Sequence, residues 1–389
     1  RLDDLGMSKI RLLSAKAQEM RAQGRQMYMF TMGQPDFATP RYIIDACEKA
    51  LEDGFTTYPA YEGPLVFRQA VCDKYERDNG LKFDPKQVIS TCGAAQAAYL
   101  VLTSFLDPED EVLVPNPMYN IYENIAGVCG AKAVKYSLRE ENDFQIDLDE
   151  FKSLITDKTK MIVICSPNNP TGKIMERDLL ESWVERAVRD GSIILFDAAY
   201  ECFVENGIKS IYEIENARNC VIEVGSLSKS AGFTSLRCGW CVIPKELEFA
   251  ENRGNIGKIW KRRQSERFNG ISYVTSKAAE AALSEDGVRA CRENIFVYKR
   301  SAAEICRFLK ENLPDIGYVG GQNSPYIWVK LPNRFKDSRE AFRYLLEKYG
   351  ITVTPGCGFG GEGYVRISSF APEDDIFEAE RRMLGRSYD

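Results

Sequence analysis

Between Val88 and Pro244 the chain repeats one pattern, a short apolar run followed by a polar loop or a helical stretch. The runs are Val88–Ser90, Glu111–Val114, Ala133–Tyr136, Met161–Ile164, Ile193–Phe196, Val221–Val224 and Cys238–Ile243. They are rich in Val and Ile, whose branched side chains suit a pleated, buried backbone. Helical spacing from Glu176 to Arg189 separates two of them. Short apolar strands alternating with helices predict a mostly parallel seven-stranded sheet covered on both faces, an α/β fold.

With 389 residues the chain exceeds a single core of ordinary size. After Pro244 it turns helical from Glu246 to Leu313, and strand-like runs follow at Tyr326–Val329, Ile351–Val353 and Val365–Ile367. This tail predicts a smaller α+β domain. The expected division gives residues 41–285 to a large domain and 286–389 to a small one, with residues 1–40 as an N-terminal segment joining the small domain. Inside that segment, Leu5 to Gly24 has helical spacing. Thr39-Pro40 predicts a helix start, with Thr39 as N-cap, Pro40 in the first turn and Gly54 as the stop.

The chain has no histidine. That removes Ser-His-Asp and Cys-His nucleophile pairs, most zinc sites and haem ligation by His, so no metal site is expected. Acid–base chemistry must rest on Lys, Tyr, Asp, Glu or Cys. A net charge of −6 without a large basic patch argues against nucleic acid as a partner. No stretch approaches the length of a membrane span, and Arg1 to Leu5 lacks the apolar region of a secretory signal. The twelve cysteines are scattered, many in apolar runs such as Ile162–Cys165. Cys238-Gly-Trp-Cys241 is formally a C-x-x-C pair, but thiols buried as small hydrophobes are the simpler reading. A reducing, cytoplasmic location is expected.

In an open α/β sheet, ligands bind beyond the carboxyl ends of the strands. Behind Val221–Val224 comes Gly225-Ser-Leu-Ser-Lys229-Ser-Ala-Gly232, an amine among small residues, with Arg237 eight residues on. Glycine and serine admit a bulky ligand, and hydroxyls with a guanidinium suit phosphate. The bland alternative is a solvated loop lysine. Behind Ile193–Phe196 comes Asp197-Ala-Ala-Tyr200, a carboxylate expected to be desolvated and to need a cationic partner, or else an ordinary helix cap. Behind Met161–Ile164 comes the dense turn Ser166-Pro-Asn-Asn169-Pro-Thr-Gly172. Behind Val88–Ser90, Cys92-Gly93-Ala94-Ala95-Gln96 opens an apolar helix whose N-terminus offers an anion site. Behind Glu111–Val114, Pro115-Asn-Pro-Met-Tyr119 offers an aromatic face.

Asn169-Pro-Thr-Gly172, Asp197-x-x-Tyr200 and Ser226-x-Ser-Lys229 with Arg237 together resemble the fold-type-I pyridoxal-phosphate (PLP) aminotransferases of class I/II, in order and rough spacing across nearly the whole chain. The resemblance implies an enzyme whose Lys229 holds PLP as an imine and shuttles a proton. By it, Asp197 pairs with the ring nitrogen, Asn169 and Tyr200 bond the ring hydroxyl, and Tyr119 stacks on the ring. The phosphate would lie on the amides of Gly93, Ala94 and Ala95, with Ser226, Ser228 and Arg237. Lys229, Asp197 and Tyr200 are then the catalytic candidates. Tyr58, in Tyr58-Pro-Ala-Tyr-Glu-Gly63, resembles the tyrosine that reaches the phosphate of a neighbouring subunit, which implies a homodimer with shared sites. Gly363-Tyr-Val-Arg366 resembles the segment whose arginine grips the substrate α-carboxylate, and Gly33-Gln-Pro-Asp36 the segment that closes over the substrate. With Asn169, Gly33 and Arg366 are the expected substrate contacts on this chain.

In the C-terminal half the resemblance narrows. Arg262-Arg-Gln-x-x-x-Phe268-Asn-Gly270-Ile-Ser-Tyr273, Gly320-Gly-Gln-Asn-Ser-Pro-Tyr326-Ile-Trp328 and Thr354-Pro-Gly-Cys-Gly-Phe-Gly360 resemble LL-diaminopimelate aminotransferases, which implies LL-diaminopimelate with 2-oxoglutarate as substrates and a distal-end role for Asn269. Gly33–Phe37 and the short Tyr58–Gly63 loop look instead like aspartate-type enzymes. The rivals are an aspartate, glutamate or aromatic aminotransferase, a PLP lyase of the same fold, and a PLP-binding regulator without activity.

Overall fold

The computed structural model describes residues 17–248 and 256–385. Seven strands form one sheet: β2 (Val88–Thr91), β3 (Glu111–Asn116), β4 (Lys132–Ser137), β5 (Thr159–Cys165), β6 (Ile193–Asp197), β7 (Val221–Ser226) and β8 (Gly239–Val242), in the order β2-β8-β7-β6-β5-β3-β4. Pairs from β4 through β7 are parallel, and β8 alone runs antiparallel to both its neighbours. Parallel pairing demands a crossover, normally a helix. Between β7 and β8 the chain has only residues 227–238, which form no helix and bring the chain straight back. Lys229 lies in that return.

Alternation along the strands divides the sheet's side chains between two cores. Ile162, Ile164, Ile194, Phe196, Val221 and Trp240 pack on one face; Met161, Val163, Leu195, Ile222, Val224 and Cys241 pack on the other. All are essentially inaccessible to water. Each such side chain contributes about 1.5–3 kcal/mol by its burial, so the strand ends are fixed to a stiff platform.

A four-stranded antiparallel sheet, β12-β13-β10-β9, uses β9 (Tyr318–Gly320), β10 (Tyr326–Lys330), β12 (Thr354–Pro355) and β13 (Tyr364–Ser368). A parallel pair joins β1 (Tyr28–Met29) to β11 (Ile351–Thr352), so the N-terminal residues share a core with Phe342, Ile327 and Val365.

One expectation needs correction. The helix Arg41–Glu52 is preceded by Pro40 as its cap, without a side-chain cap bond; the Thr39 hydroxyl instead donates to the Ala231 carbonyl at 3.4 Å. The strongly helical stretch expected from Glu246 to Leu313 is present as three helices, Ile256–Arg267, Tyr273–Leu283 and Glu285–Asn312. Gly270, at φ +85°, and the capping Ser284 make the breaks. Of the helix expected from Leu5 to Gly24, residues 17–22 are helical and 5–16 lie outside the described residues. Residues 249–255 lie outside them too.

No helix among the described residues is long and apolar enough to cross a membrane, and no group of His, Cys, Asp and Glu among them could hold a metal ion. All twelve cysteines are free thiols, with Cys238 and Cys241 buried.

Candidate active site

The carboxyl ends of β5, β6 and β7 open onto a cavity of about 580 Å³. Its charged lining consists of Asp197, Lys229, Arg237 and Arg366. Three cations against one carboxylate suit a ligand bearing more than one anionic group.

Asp197 is the last residue of β6 and is 9% exposed. Its Oδ2 accepts from the Tyr122 hydroxyl at 2.5 Å and its Oδ1 from the Ala199 amide at 3.0 Å. Burial raises its pKa, and these two bonds oppose the rise. The cationic partner expected for it is not among its hydrogen-bond partners; a phenol stands there. A buried carboxylate served only by neutral donors is a ready counter-charge for a cationic ligand atom.

Lys229 extends across the cavity from the β7–β8 return. Its Nζ donates to the Gly33 carbonyl and lies 5.7 Å from the ring centres of both Tyr200 and Phe370. Burial, with Arg366 and Arg237 adding to it, pulls its pKa down to about 8. An amine with a depressed pKa is a nucleophile near neutral pH.

Ser226, Ser228 and Arg237 form one cluster. The two hydroxyls are 3.0 Å apart, and Arg237 Nη1 donates to Ser228 Oγ at 3.2 Å. Gly93, at φ +84°, caps the helix Ala94–Phe105. A Cβ on Gly93 would sit 2.4 Å from Arg237 Nη2, so only glycine lets the guanidinium reach this helix N-terminus. Ala94 and Ala95 line the cavity there. Amides, hydroxyls and a guanidinium aimed at one point make an anion cradle.

Arg366, on β13, is 5% exposed. It donates to Asn169 Oδ1 at 2.8 Å, to the Thr31 carbonyl at 2.9 Å and to Thr354 Oγ1 at 3.3 Å, and its Nε is buried without a partner. Among the described residues none of its partners is a carboxylate. Asn169 Nδ2 donates to the Tyr200 hydroxyl at 3.3 Å, and Tyr200 lies 3.0 Å from the Tyr326 hydroxyl. Tyr119, half-exposed, and Gly33 complete the wall.

Tyr58 and Asn269 are not brought into this cavity. Tyr58 is 82% exposed, and the loop after it packs on Gly270, whose Cβ position lies 2.9 Å from the Ala60 carbonyl. The two expected residues thus share one outer surface. Glu62 is held toward Arg68 at 3.9 Å. The sequence reading missed Tyr122, Tyr326, Thr31 and Phe359. Tyr122, near the start of the helix Ile121–Cys129, carried no signal of its own; Tyr326 stood inside a quoted motif without a role.

A family model described as aminotransferase class I and II matches residues 25–378. The LL-diaminopimelate aminotransferase of Bacteroides thetaiotaomicron is 35% identical over 370 residues, covering 88% of this chain and 87% of that protein. That of Prochlorococcus marinus is 33% identical, covering 89% and 88%. Among solved structures, Thermus thermophilus aspartate aminotransferase with maleate superposes with a TM-score of 0.89 at 28% identity, over 99% of this chain and 98% of that one. The aromatic aminotransferase of Pyrococcus horikoshii gives 0.84 at 29% identity, over 94% and 97%.

Proposed function

The chain belongs to the class I and II aminotransferase family, and from that membership we propose that it is a PLP enzyme carrying the amino group of LL-diaminopimelate to 2-oxoglutarate. Its fold is that of the fold-type-I aminotransferases, and it moves an amino group between an amino acid and a 2-oxo acid. The choice of substrate is carried by one observation: relatives at 33% to 36% identity over nearly nine-tenths of the chain bear the name LL-diaminopimelate aminotransferase.

The residues at the strand ends fit PLP. The cradle that a Gly93 side chain would fill suits the phosphate, and buried Asp197 suits the pyridinium nitrogen. When bound, the cofactor supplies an electron sink for charge developing at the substrate α-carbon. Lys229 would hold it covalently, and its depressed pKa fits it to take and return the α-carbon proton. Asn169 and Tyr200 would hold the ring hydroxyl. Tyr119 would cover one ring face. Arg366 would take the α-carboxylate in a bidentate grip, fixing the Cα–H bond against the ring. Gly33 and its neighbours would exclude water from above.

The reading extends to a large lobe of residues 41–285, a small lobe of 286–389 with residues 1–40 joining it, and a homodimer in which Tyr58 and Asn269 complete the partner's site. A cytoplasmic location is supported by twelve thiols without a disulfide.

A second reading, an aspartate-type or aromatic specificity, is favoured by one observation. Among the described residues Asp197 is the only acid lining the cavity, and Glu62 faces Arg68 rather than standing free for a distal ammonium. The test mixes purified protein, PLP, LL-diaminopimelate and 2-oxoglutarate and follows glutamate with the visible spectrum. Glutamate formed with loss of the lysine-bound cofactor band supports the first reading. The same spectral change with aspartate or an aromatic amino acid, and none with diaminopimelate, replaces it by the second.

A further inference from the structure

We infer that Tyr326 is a positioning residue for amino transfer: its ring carries the Arg366 guanidinium and its hydroxyl aims the Tyr200 hydroxyl into the cavity. The inference rests on the cofactor reading above.

Four side chains close a circuit. Arg366 Nη1 donates to Asn169 Oδ1, which fixes the amide so that Nδ2 faces Tyr200. Tyr200 meets Tyr326 at 3.0 Å, and the Arg366 guanidinium lies 4.3 Å above the Tyr326 ring, closing the loop. The carboxylate-binding cation and the pair facing the ring hydroxyl are therefore one unit, with Tyr326 as its return path.

Proton counting gives the hydroxyl its role. Burial raises the pKa of both phenols, so each keeps its single proton. Tyr326 is 1% exposed, and among the described residues its hydroxyl has one partner, Tyr200. A phenol buried so deeply needs that bond. The Tyr200 oxygen already accepts from Asn169. When Tyr326 donates to it as well, the Tyr200 proton is left to point outward, and two incoming donors polarise that O–H. Gly33 keeps the arrangement open, since a Cβ there would stand 3.1 Å from the Tyr326 oxygen.

The test is a spectroscopic pH titration of holoenzyme from about pH 5 to about pH 10, read as the midpoint of the cofactor's visible absorption change. Tyr326→Phe deletes only the hydroxyl. A weaker Tyr200 donor leaves more negative charge on the ring oxygen, so the midpoint should rise by about half a unit. In a Tyr200→Phe background the same substitution should add nothing. Tyr326→Leu also removes the ring, and it should raise the midpoint and weaken binding of propionate, an unreactive carboxylate, roughly fivefold; Tyr326→Phe should hold propionate within about twofold. If Tyr326→Phe does not fold, the midpoint of Tyr326→Leu carries the test. An unshifted midpoint, or an equal shift with and without Tyr200, overturns the inference while leaving the cofactor reading in place. Absence of any visible band in the unsubstituted protein mixed with PLP is a different result, and it overturns that reading first.

Discussion

Lys229 and Arg366 are both cations held where water is scarce, and the two respond to that in opposite ways. The lysine can shed its charge. Its ammonium loses a proton as pH rises through about 8, well below an ordinary lysine. Amine-directed labelling of the PLP-free protein should therefore show a midpoint near 8 at Lys229. Between about 8 and 10.5 the folded protein holds fewer protons than the unfolded chain, so stability should rise across that window. Lys229→Met should abolish both effects; an ordinary labelling midpoint would contradict the burial argument. The arginine cannot shed its charge. It waits with a buried, unpartnered Nε and no carboxylate among its partners. Arg366→Gln should raise KM for the amino acid by at least about 100-fold, roughly 3 kcal/mol, with a smaller loss in kcat. An unchanged KM, with kcat and kcat/KM lowered by the same factor, would mean that Arg366 does not bind the ground-state carboxylate. Asp197 and Lys229 were legible in the sequence because one ends an apolar strand and the other closely follows one, where a charge is conspicuous, whereas Arg366 was legible only through the family resemblance. Tyr122 and Tyr326 were not. A tyrosine in an apolar run is ordinary core, and only the fold reveals that its hydroxyl meets Asp197 or Tyr200.

At the level of elements, the site depends on how strands hand over to helices and loops. The strands themselves were readable, because most of the sheet is buried on both faces and most runs are largely apolar; β4, with exposed Lys132 and Lys135, is the exception. Direction was not readable from the runs: β8 is antiparallel because residues 227–238 are too few for a covering helix. The same economy holds Lys229 at the sheet edge of the cavity. The anion cradle rests on a comparable close approach. At Gly93 a side chain would collide with Arg237 and would also strain a backbone at φ +84°. Gly93→Ala should lower the affinity for PLP at least about tenfold and lower stability by about 1–3 kcal/mol, measured by cofactor titration and thermal melting. Unchanged affinity would mean that the phosphate does not use this helix end. The breaks at Gly270 and Ser284 follow the same logic in reverse. The stretch was readable as helical but not its division, which a left-handed glycine and a serine cap make.

For the whole molecule the question is why Tyr58 and Asn269 face outward. In this chain they lie on one surface, alongside exposed Tyr61, Leu65 and Val66. Exposed aromatic and aliphatic residues gathered in one region are the mark of an interface. A twofold dimer makes every contact twice, so a residue lent to the partner's site is repaid by its equivalent. No feature of the sequence could reveal this surface except the resemblance at Tyr58, because a residue acting in another subunit has no local signature. The arrangement makes a prediction that a self-contained site does not. In the proposed dimer, Lys229→Ala should abolish the site of its own chain, whereas Tyr58→Ala should weaken the site of the partner. In a mixed dimer both defects fall in one site, and the other receives an intact Lys229 and an intact Tyr58. Random reassociation of the two inactive or weakened variants should restore about a quarter of the sites to full cofactor affinity. Titrating the mixture with limiting PLP, before and after subunit exchange, measures that fraction. Recovery after exchange requires that Tyr58 serve the opposite subunit. No recovery, with exchange verified by hybrid formation, would confine each active site to one chain and leave Tyr58 a surface residue.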